Sequence, residues 1–478
     1  MKKILILLYI ALVASSCQKK EEQKPNFVFI LVDDLGWADV KANYPDSFYE
    51  TPNLDQMASE GIRFTQAYAA HPVCSPTRAA LMTGKHPNRL GITDWIPGFD
   101  KFEDQRPIVT PPIRDELALE ETTLAEKLKE NGYQTYFIGK WHLGEEEKYW
   151  PEYQGFDKNI GGWRVGAPQL KKGLSNGYYA PYGNPKLPDG PEGEYLTDRL
   201  TNESLQLIQE NSDKPFLLYL SFYSVHTPIQ AAPKKHEYFI NKKTKITLEE
   251  GQPSYRQEGD GQTKLIQDNA AYASMVAAMD ENVGRILKEL KEKGLDENTW
   301  VILTSDNGGL STLYGEGAPT ANGPLRAGKG WCYEGGIRVP LIIKGPGIKT
   351  QGKVTDLPVT SMDFFPTLLS IAGSNFESND GIDLSSFLTG GKAPERDLLF
   401  WHYPQYHGSA WKPGSAIREG KWKLIHDYES GENQLFDLEN DPGENQDLSH
   451  SQPEKVVALE GKLMKELEKT GGKLPSRK

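Results

Sequence analysis

The chain has 478 residues, 37% of them hydrophobic and 25% charged, enough for one large domain with an appendage and typical of a folded, soluble protein rather than a disordered or fibrous one. Fifty-four Lys and Arg against 66 Asp and Glu give a formal net charge of -12, which excludes the basic face that a nucleic-acid partner requires. Any anion handled in such a field needs local cations or a metal ion.

The basic start Met1-Lys2-Lys3 leads into the apolar run Ile4 to Ala14, too short to span a bilayer as a helix, and reads as a secretory signal. It closes on Ala14-Ser15-Ser16-Cys17, small residues before a cysteine that resemble a bacterial lipobox. On that resemblance residues 1–16 are removed, Cys17 carries the lipid and residues 17–25 form a tether. The protein is then exported and lipid-anchored in the periplasm or at the outer cell surface, with the lipid as its only contact with the membrane.

Further along, apolar and β-branched runs stop abruptly at polar residues, as strands of a sheet buried on both faces do. Phe27–Val32 ends at Asp33-Asp34, Thr135–Ile138 at Gly139-Lys140-Trp141-His142, Phe216–Phe222 shortly before His226, and Trp300–Leu303 at Ser305-Asp306-Asn307-Gly308. Helical spacing marks Leu124–Asn131, Leu196–Glu210 and Ala270–Lys293 between them. Sites in open α/β sheets form beyond the carboxyl ends of strands, so these four ends are expected at one crevice. After a helix over Met362–Ala372 the pattern changes to short strands at Leu398–Tyr403, Ala416–Glu419, Trp422–His426 and Asn433–Leu438, then a charged helix over Pro453–Lys469. Hairpin-length gaps predict an antiparallel sheet with one covering helix. The reading is therefore an α/β catalytic domain over residues 26–374, with a large, mainly parallel sheet between helices, and a smaller α+β subdomain over 375–478. The Lys-rich stretch Lys234–Lys245 reads as a solvent-facing run.

Only three cysteines occur, Cys17, Cys74 and Cys332, so no disulfide framework supports this exported chain. Cys74 opens Cys74-Ser75-Pro76-Thr77-Arg78-Ala79-Ala80-Leu81-Met82-Thr83-Gly84-Lys85. Ser75 suits an N-cap, Pro76 the first turn and Gly84 the end of a helix. Cys74 is thereby expected at a helix N-terminus, where free N–H groups favour negative charge, with Arg78 one turn on. Asp33, Asp34, Asp306 and Asn307 offer only oxygen ligands, the donor set of a hard cation such as Ca²⁺ or Mg²⁺.

The run Cys-x-Pro-x-Arg followed by Leu81-Met82-Thr83-Gly84-Lys85 resembles the signature of the formylglycine-dependent (type I) sulfatases, with Thr77 where the family norm has Ser. Asp33-Asp34, Gly139–Gly144, His226-Thr227-Pro228, Ser305–Gly308 and Lys329 leading into Tyr333–Pro340 follow the same family's layout in order. The resemblance implies an alkaline-phosphatase-like fold. It implies that a maturation enzyme oxidises Cys74 to formylglycine, whose hydrate attacks sulfur with one hydroxyl and expels sulfate through the other. It also implies one Ca²⁺, with Mg²⁺ not excluded, held by Asp33, Asp34, Asp306, Asn307 and position 74. Arg78 and Lys140 would hold the diol and sulfate oxygens, Lys329 would bind sulfate, His142 would deprotonate the diol, and His226 would protonate the departing alcohol.

The substrate expected for an exported enzyme of this kind is a sulfated glycan. Trp95, Trp163, Arg164, Arg326, His402 and His407 are candidate contacts, since rings stack on sugar faces and Arg forks grip acidic groups. Gly91–Ile96 and the His402-Tyr403-Pro404 turn are similar to stretches in sulfatases acting on galactose-type sugars, so galactose or N-acetylgalactosamine sulfate, at O4, is expected. Competing readings are a formylglycine-dependent phosphodiesterase or phosphonate hydrolase, and a lipoprotein that binds sulfated glycans without turnover. The sequence leaves the oligomeric state open.

Overall fold

A computed structural model describes residues 23–99, 106–211, 214–377 and 380–478. The run read as a secretory signal, and Cys17, lie outside the described residues. The main sheet is built from β1 (Asn26–Val32), β2 (Ile62–Tyr68), β3 (Gln134–Gly139), β4 (Lys158–Ile160), β5 (Phe216–Ser221), β6 (Thr299–Ser305), β7 (Arg338–Lys344) and β8 (Lys353–Thr355). Its order is β8-β2-β7-β6-β1-β5-β3-β4, and Val359–Thr360 adds a short ninth strand against β2. Strands from β6 through β4 run parallel, while β7 is antiparallel to both its neighbours.

Alternate residues of β1 serve opposite faces, as the period of two requires. Val28, Ile30 and Val32 pack with the helices Pro52–Glu60, Leu196–Glu210 and Ala270–Glu292, and Phe27, Phe29 and Leu31 with Cys74–Thr83, Leu124–Glu130 and Phe364–Ile371. Both faces being buried explains why the central strands read as unbroken apolar runs. Register then sets the crevice: Val32 pairs with Ser305, Leu31 with Ser221, and Ser221 with Gly139, so Asp33, Asp306 and Lys140 emerge at one level. Gly139 is required there, since a Cβ would sit 1.9 Å from the Ser221 carbonyl oxygen.

Five of the nine strands are absent from the sequence reading: Lys158–Ile160, Lys353–Thr355 and Val359–Thr360, each only two or three residues long, and the full-length strands β2 and β7. Ile62–Tyr68 alternates buried with half-buried residues, and Arg338–Lys344 contains Pro340, which sits where the register with β2 shifts between Val339 and Leu341, the irregular place at which a sheet tolerates proline. The segment after residue 374 forms the sheet Leu399–Tyr403, Gly414–Glu419, Trp422–Asp427, Asn433–Asp437 in sequential antiparallel order. Leu459, Leu463 and Leu467 of helix Pro453–Thr470 cover one face through Ile417, Leu424 and Leu435. The other face packs Trp401, Tyr403 and Phe436 against Tyr68, Val73 and Trp331 of the larger unit. Lys234, Lys235, Lys242 and Lys243 pair with Glu281, Glu50 and Asp268. No helix among the described residues is long and apolar enough to cross a membrane.

Candidate active site

Helix Cys74–Thr83 is buried along its whole length and ends at Gly84, whose φ of 67° gives the left-handed cap. Its N-terminus differs from the sequence reading. Val73 is the N-cap, Cys74 is the first helical residue, and Ser75 lies inside the first turn, where its Oγ donates to the His142 carbonyl at 2.9 Å and accepts the Ile96 N–H at 3.1 Å. Pro76 then falls among the first-turn positions whose N–H has no helical partner. The Cys74 thiol faces the strand ends, 3.6 Å from Asp33 Oδ1 and 3.4 Å from Lys329 Nζ.

Around it three carboxylates and three cations interlock out of water. Lys140 Nζ lies 2.7 Å from Asp33 Oδ2, and Lys329 Nζ 2.7 and 2.9 Å from the two oxygens of Asp34. Arg78 turns Nε and Nη2 to Asp306 Oδ2 at 2.9 and 2.7 Å, and gives Nη1 to the Lys140 carbonyl and Ser221 Oγ. Asp34 and His142 hold φ near +60°, a conformation that costs non-glycine residues energy and clusters at functional sites. Burial, with Asp306 and Asp34 beside it, pushes the Asp33 carboxyl up to about 8 against the pull of Lys140. Burial would raise Asp306 too, but Arg78, Lys140 and Lys329 hold it below the ordinary carboxylate range. Burial and Asp306 push the Cys74 thiol up to about 12, so an unmodified Cys74 is a neutral thiol and a poor nucleophile.

Both histidines are neutral in this setting. Burial and Lys140 carry His142 well below the usual imidazole range, and burial and Lys329 lower His226 to about 3. His142 Nε2 lies 2.6 Å from the Ile96 carbonyl oxygen and donates to it, which leaves Nδ1 a bare lone pair, buried and without a hydrogen-bond partner. His226 Nδ1 donates to the Thr227 carbonyl at 2.7 Å, and its Nε2 stands 3.7 Å from Asp34 Oδ2.

A cavity of about 460 Å³ opens over these groups, lined by Cys74, His142, His226 and Lys329 and walled by Trp95, Phe99, Arg164 and His407. Arg78 and Lys140 do not line it. They stand behind the carboxylates, Lys140 fully buried and Arg78 with every nitrogen engaged. Three proposed sugar contacts lie elsewhere. His402 is fully buried, bonded to Ser415 Oγ and the Lys473 carbonyl. Arg326 is forked onto Glu258 and stacked 3.9 Å from the Tyr333 ring centroid. Trp163 packs against the core beneath Arg164. Phe99, Glu145, Gln169 and Ser409 line the cavity without having stood out in the sequence; they lie a few residues from Trp95, His142, Arg164 and His407, and that proximity was the one signal available.

The site suits a hard cation. Asp33, Asp34, Cys74 and His226 bring ligand atoms within 4.8 Å of one another. Asn307 Nδ2 donates to Asp34 Oδ1 at 2.8 Å, while its Oδ1 is buried without a hydrogen-bond partner beside the carboxylates, an orphan acceptor that a cation would satisfy. A divalent ion would hold Asp33 ionised; the three carboxylates and three cations would then cancel, and the ion would leave the cavity floor positive within a chain of net charge -12, as an anionic ester requires.

The family model for sulfatases matches residues 25–374, and that for the N-sulphoglucosamine sulphohydrolase C-terminal region matches residues 327–472. A sulfatase of Formosa agariphila is 33% identical over 94% of this chain and 88% of its own. The N-acetylgalactosamine-6-sulfatase of Canis lupus familiaris is 31% identical over 92% of this chain and 84% of its own. Among solved structures, Ps i-CgsB in complex with k-i-k-neocarrahexaose aligns with a TM-score of 0.74 at 30% identity, over 93% of this chain and 92% of that one. With a buried cysteine at a helix N-terminus, an acidic cluster whose atoms could hold a cation and these relatives, the chain belongs to the type I sulfatase family, has its alkaline-phosphatase-like fold, and is a sulfuric ester hydrolase.

Proposed function

We propose that this sulfatase removes sulfate from a galactose- or N-acetylgalactosamine-type sugar of a glycan, using formylglycine at position 74 and one divalent cation, Ca²⁺ by family usage with Mg²⁺ as the alternative. The observation that carries the reading is the placement of Cys74, at the floor of the cavity and within 3.6 Å of both a carboxylate and Lys329. Formylglycine supplies there a hydrated aldehyde with two hydroxyls, which a thiol pushed up to about 12 does not replace. Asp33, Asp34, Asp306 and Asn307 would hold the cation, which lowers the charge repulsion between an anionic ester and its attacking group.

The remaining work falls to side chains already in place. Lys329, at the cavity floor, neutralises sulfate oxygens. Arg78 and Lys140 fix Asp306 and Asp33 from behind rather than gripping sulfate directly. His142 takes a proton at its bare Nδ1, for which a neutral imidazole is needed. His226 delivers a proton from Nε2; with Nδ1–H committed to Thr227 this requires the imidazolium, which a bound anion beside it favours. Trp95 and Phe99 offer aromatic surface to a sugar ring, and Arg164 and His407 polar contacts at its edge.

The relative named N-acetylgalactosamine-6-sulfatase and the structure with k-i-k-neocarrahexaose support a galactose-type sugar; the sequence reading favours O4. Sulfate release from 4-O- and 6-O-sulfated galactose, N-acetylgalactosamine and glucosamine at matched concentration tests both points. Faster release from glucosamine sulfates overturns the sugar, and release from aryl sulfates alone overturns the glycan. Peptide mass analysis of active protein is expected to show formylglycine at residue 74, formed by a separate maturation enzyme. Export and lipid anchoring at Cys17 are part of the same reading, tested by incorporation of labelled fatty acid into the wild type and its loss in Cys17→Ala.

A further inference from the structure

We infer that Asp94 is a positioning residue for the base His142: its carboxylate folds the turn Asp94–Phe99, and that turn fixes the imidazole in the tautomer that leaves Nδ1 bare. The inference rests on the proposed role of His142.

Asp94 is 1% exposed and gathers three donors. Oδ1 accepts the Trp95 N–H at 2.8 Å and the Tyr403 hydroxyl at 2.7 Å, and Oδ2 accepts the Phe99 N–H at 3.2 Å. Both ends of the turn are thereby tied to one carboxylate, which is itself tied to the last residue of strand Leu399–Tyr403 in the C-terminal sheet. Gln405 Nε2 adds a bond to Thr93 Oγ1 at 3.0 Å just before the turn. The middle of the turn then touches His142 twice. The Ile96 carbonyl oxygen accepts from Nε2 at 2.6 Å, and the Ile96 N–H reaches the His142 backbone through Ser75 Oγ.

A carbonyl oxygen only accepts, so it selects the Nε2–H form, and in a neutral ring the lone pair is then at Nδ1. From the other side the ring is confined by Gly166, where a Cβ would come within 2.3 Å of Cε1. No other hydrogen bond reaches the imidazole nitrogens among the described residues. Loss of the Asp94 carboxylate would free the Ile96 carbonyl, and with it the choice of tautomer. The same turn carries Trp95 and Phe99 into the cavity wall, so one carboxylate sets both the base and the sugar-facing surface.

The test uses the full chain with ¹⁵N-labelled histidine, together with turnover of the best substrate from the panel above. In the wild type the His142 signal, assigned by its loss in His142→Gln, is expected as the Nε2–H tautomer with an unprotonated Nδ1. Asp94→Ala and the milder Tyr403→Phe are expected to mix the tautomers and to lower kcat, by roughly ten- to a hundredfold in Asp94→Ala, with partial rescue in Asp94→Asn, which keeps one acceptor. If Asp94 acts through His142, Asp94→Ala adds little to the kcat loss of His142→Gln. An unchanged tautomer in both variants, or losses that multiply in the double variant, overturns the inference. Full kcat in His142→Gln overturns the role of His142 itself, and is read independently of the tautomer.

Discussion

Two cysteines of this protein are alike in almost every local respect. Cys74 and Cys332 are both buried free thiols, both pushed up to about 12 by burial, and each feels a lysine and a carboxylate nearby. Cys332 sits in a closed cluster with Trp331, Trp401, Trp411 and Phe436, where Lys423 pairs with Glu334 Oε1 at 3.0 Å and Glu444 Oε1 at 2.8 Å without any exposure. Cys74 sits at a helix N-terminus beneath a cavity of about 460 Å³. Burial, buried charge and a shifted thiol are therefore common to both places. What separates them is room for a ligand and an oxygen set with an unsatisfied acceptor, Asn307 Oδ1. Perturbed ionisation marks buried ion-pair networks as readily as sites, and cavity geometry is the better discriminator.

The comparison breaks most sharply on activity. Cys74→Ala is expected to reduce sulfate release by more than about 10³-fold, since loss of a covalent nucleophile removes the chemical route, with thermal midpoint near that of the wild type. Cys332→Ala is expected to keep turnover per folded molecule and to cost ~1–2 kcal/mol in denaturant unfolding, the scale of a small buried truncation. Similar activity losses in the two variants would dissolve the distinction.

Lys423 provides the next test. Lys423→Met leaves Glu334 and Glu444 facing one another in a closed interior, and loss of one partner of a buried pair costs about 3–5 kcal/mol. Urea unfolding is expected to show that loss, while Lys329, on the loop leading to Glu334, keeps its place and turnover per folded molecule holds. On the cleft side, chelation is expected to remove both activity and stability, about 2.7 kcal/mol if the cation had been a hundredfold above its dissociation constant. Asp306→Ala is expected to make turnover and thermal midpoint insensitive to chelator. Unchanged turnover in thoroughly chelated protein refutes the cation site.

The sequence made the central strands legible because both their faces are buried, and made their ends legible because Asp33, Lys140 and Asp306 each follow an apolar run at once. The C-terminal strands were legible as hairpins. Arg338–Lys344 is hidden by Pro340, and the expected N-cap at Ser75 falls two residues past the observed one at Val73, because only the packed helix shows that the Ser75 hydroxyl serves His142 and Ile96. His402 and His407 show the limit most clearly. Five residues apart, one lies within strand Leu399–Tyr403 and is consumed by Ser415 and Lys473, while the other lies past the strand end and reaches the cavity. Arg326 was misjudged because its partner, Glu258, stands on a hairpin of Tyr255–Glu258 and Gly261–Lys264 that no sequence pattern announced.

A further expected effect is a pH dependence confined to the closed cluster. Burial pushes the Glu444 carboxyl up to about 7, against the pull of Lys423 and with Glu334 adding to the rise. A carboxyl whose folded value stands above its unfolded value near 4.5 binds a proton in the native state that the unfolded chain has released. Its contribution to stability is thus fully present below about 4.5 and is lost as pH rises through about 7. Glu444→Gln removes that titration while keeping a neutral side chain of the same shape. The unfolding free energy of the wild type relative to Glu444→Gln is therefore expected to fall between pH 5 and pH 8, by about 2 kcal/mol for a fully buried group shifted by this much. Urea midpoints of both proteins at the two pH values measure it. A relative stability that rises over this interval would mean that Lys423 holds Glu444 ionised, and that the closed cluster gains more from its ion pairs than it loses by burying them.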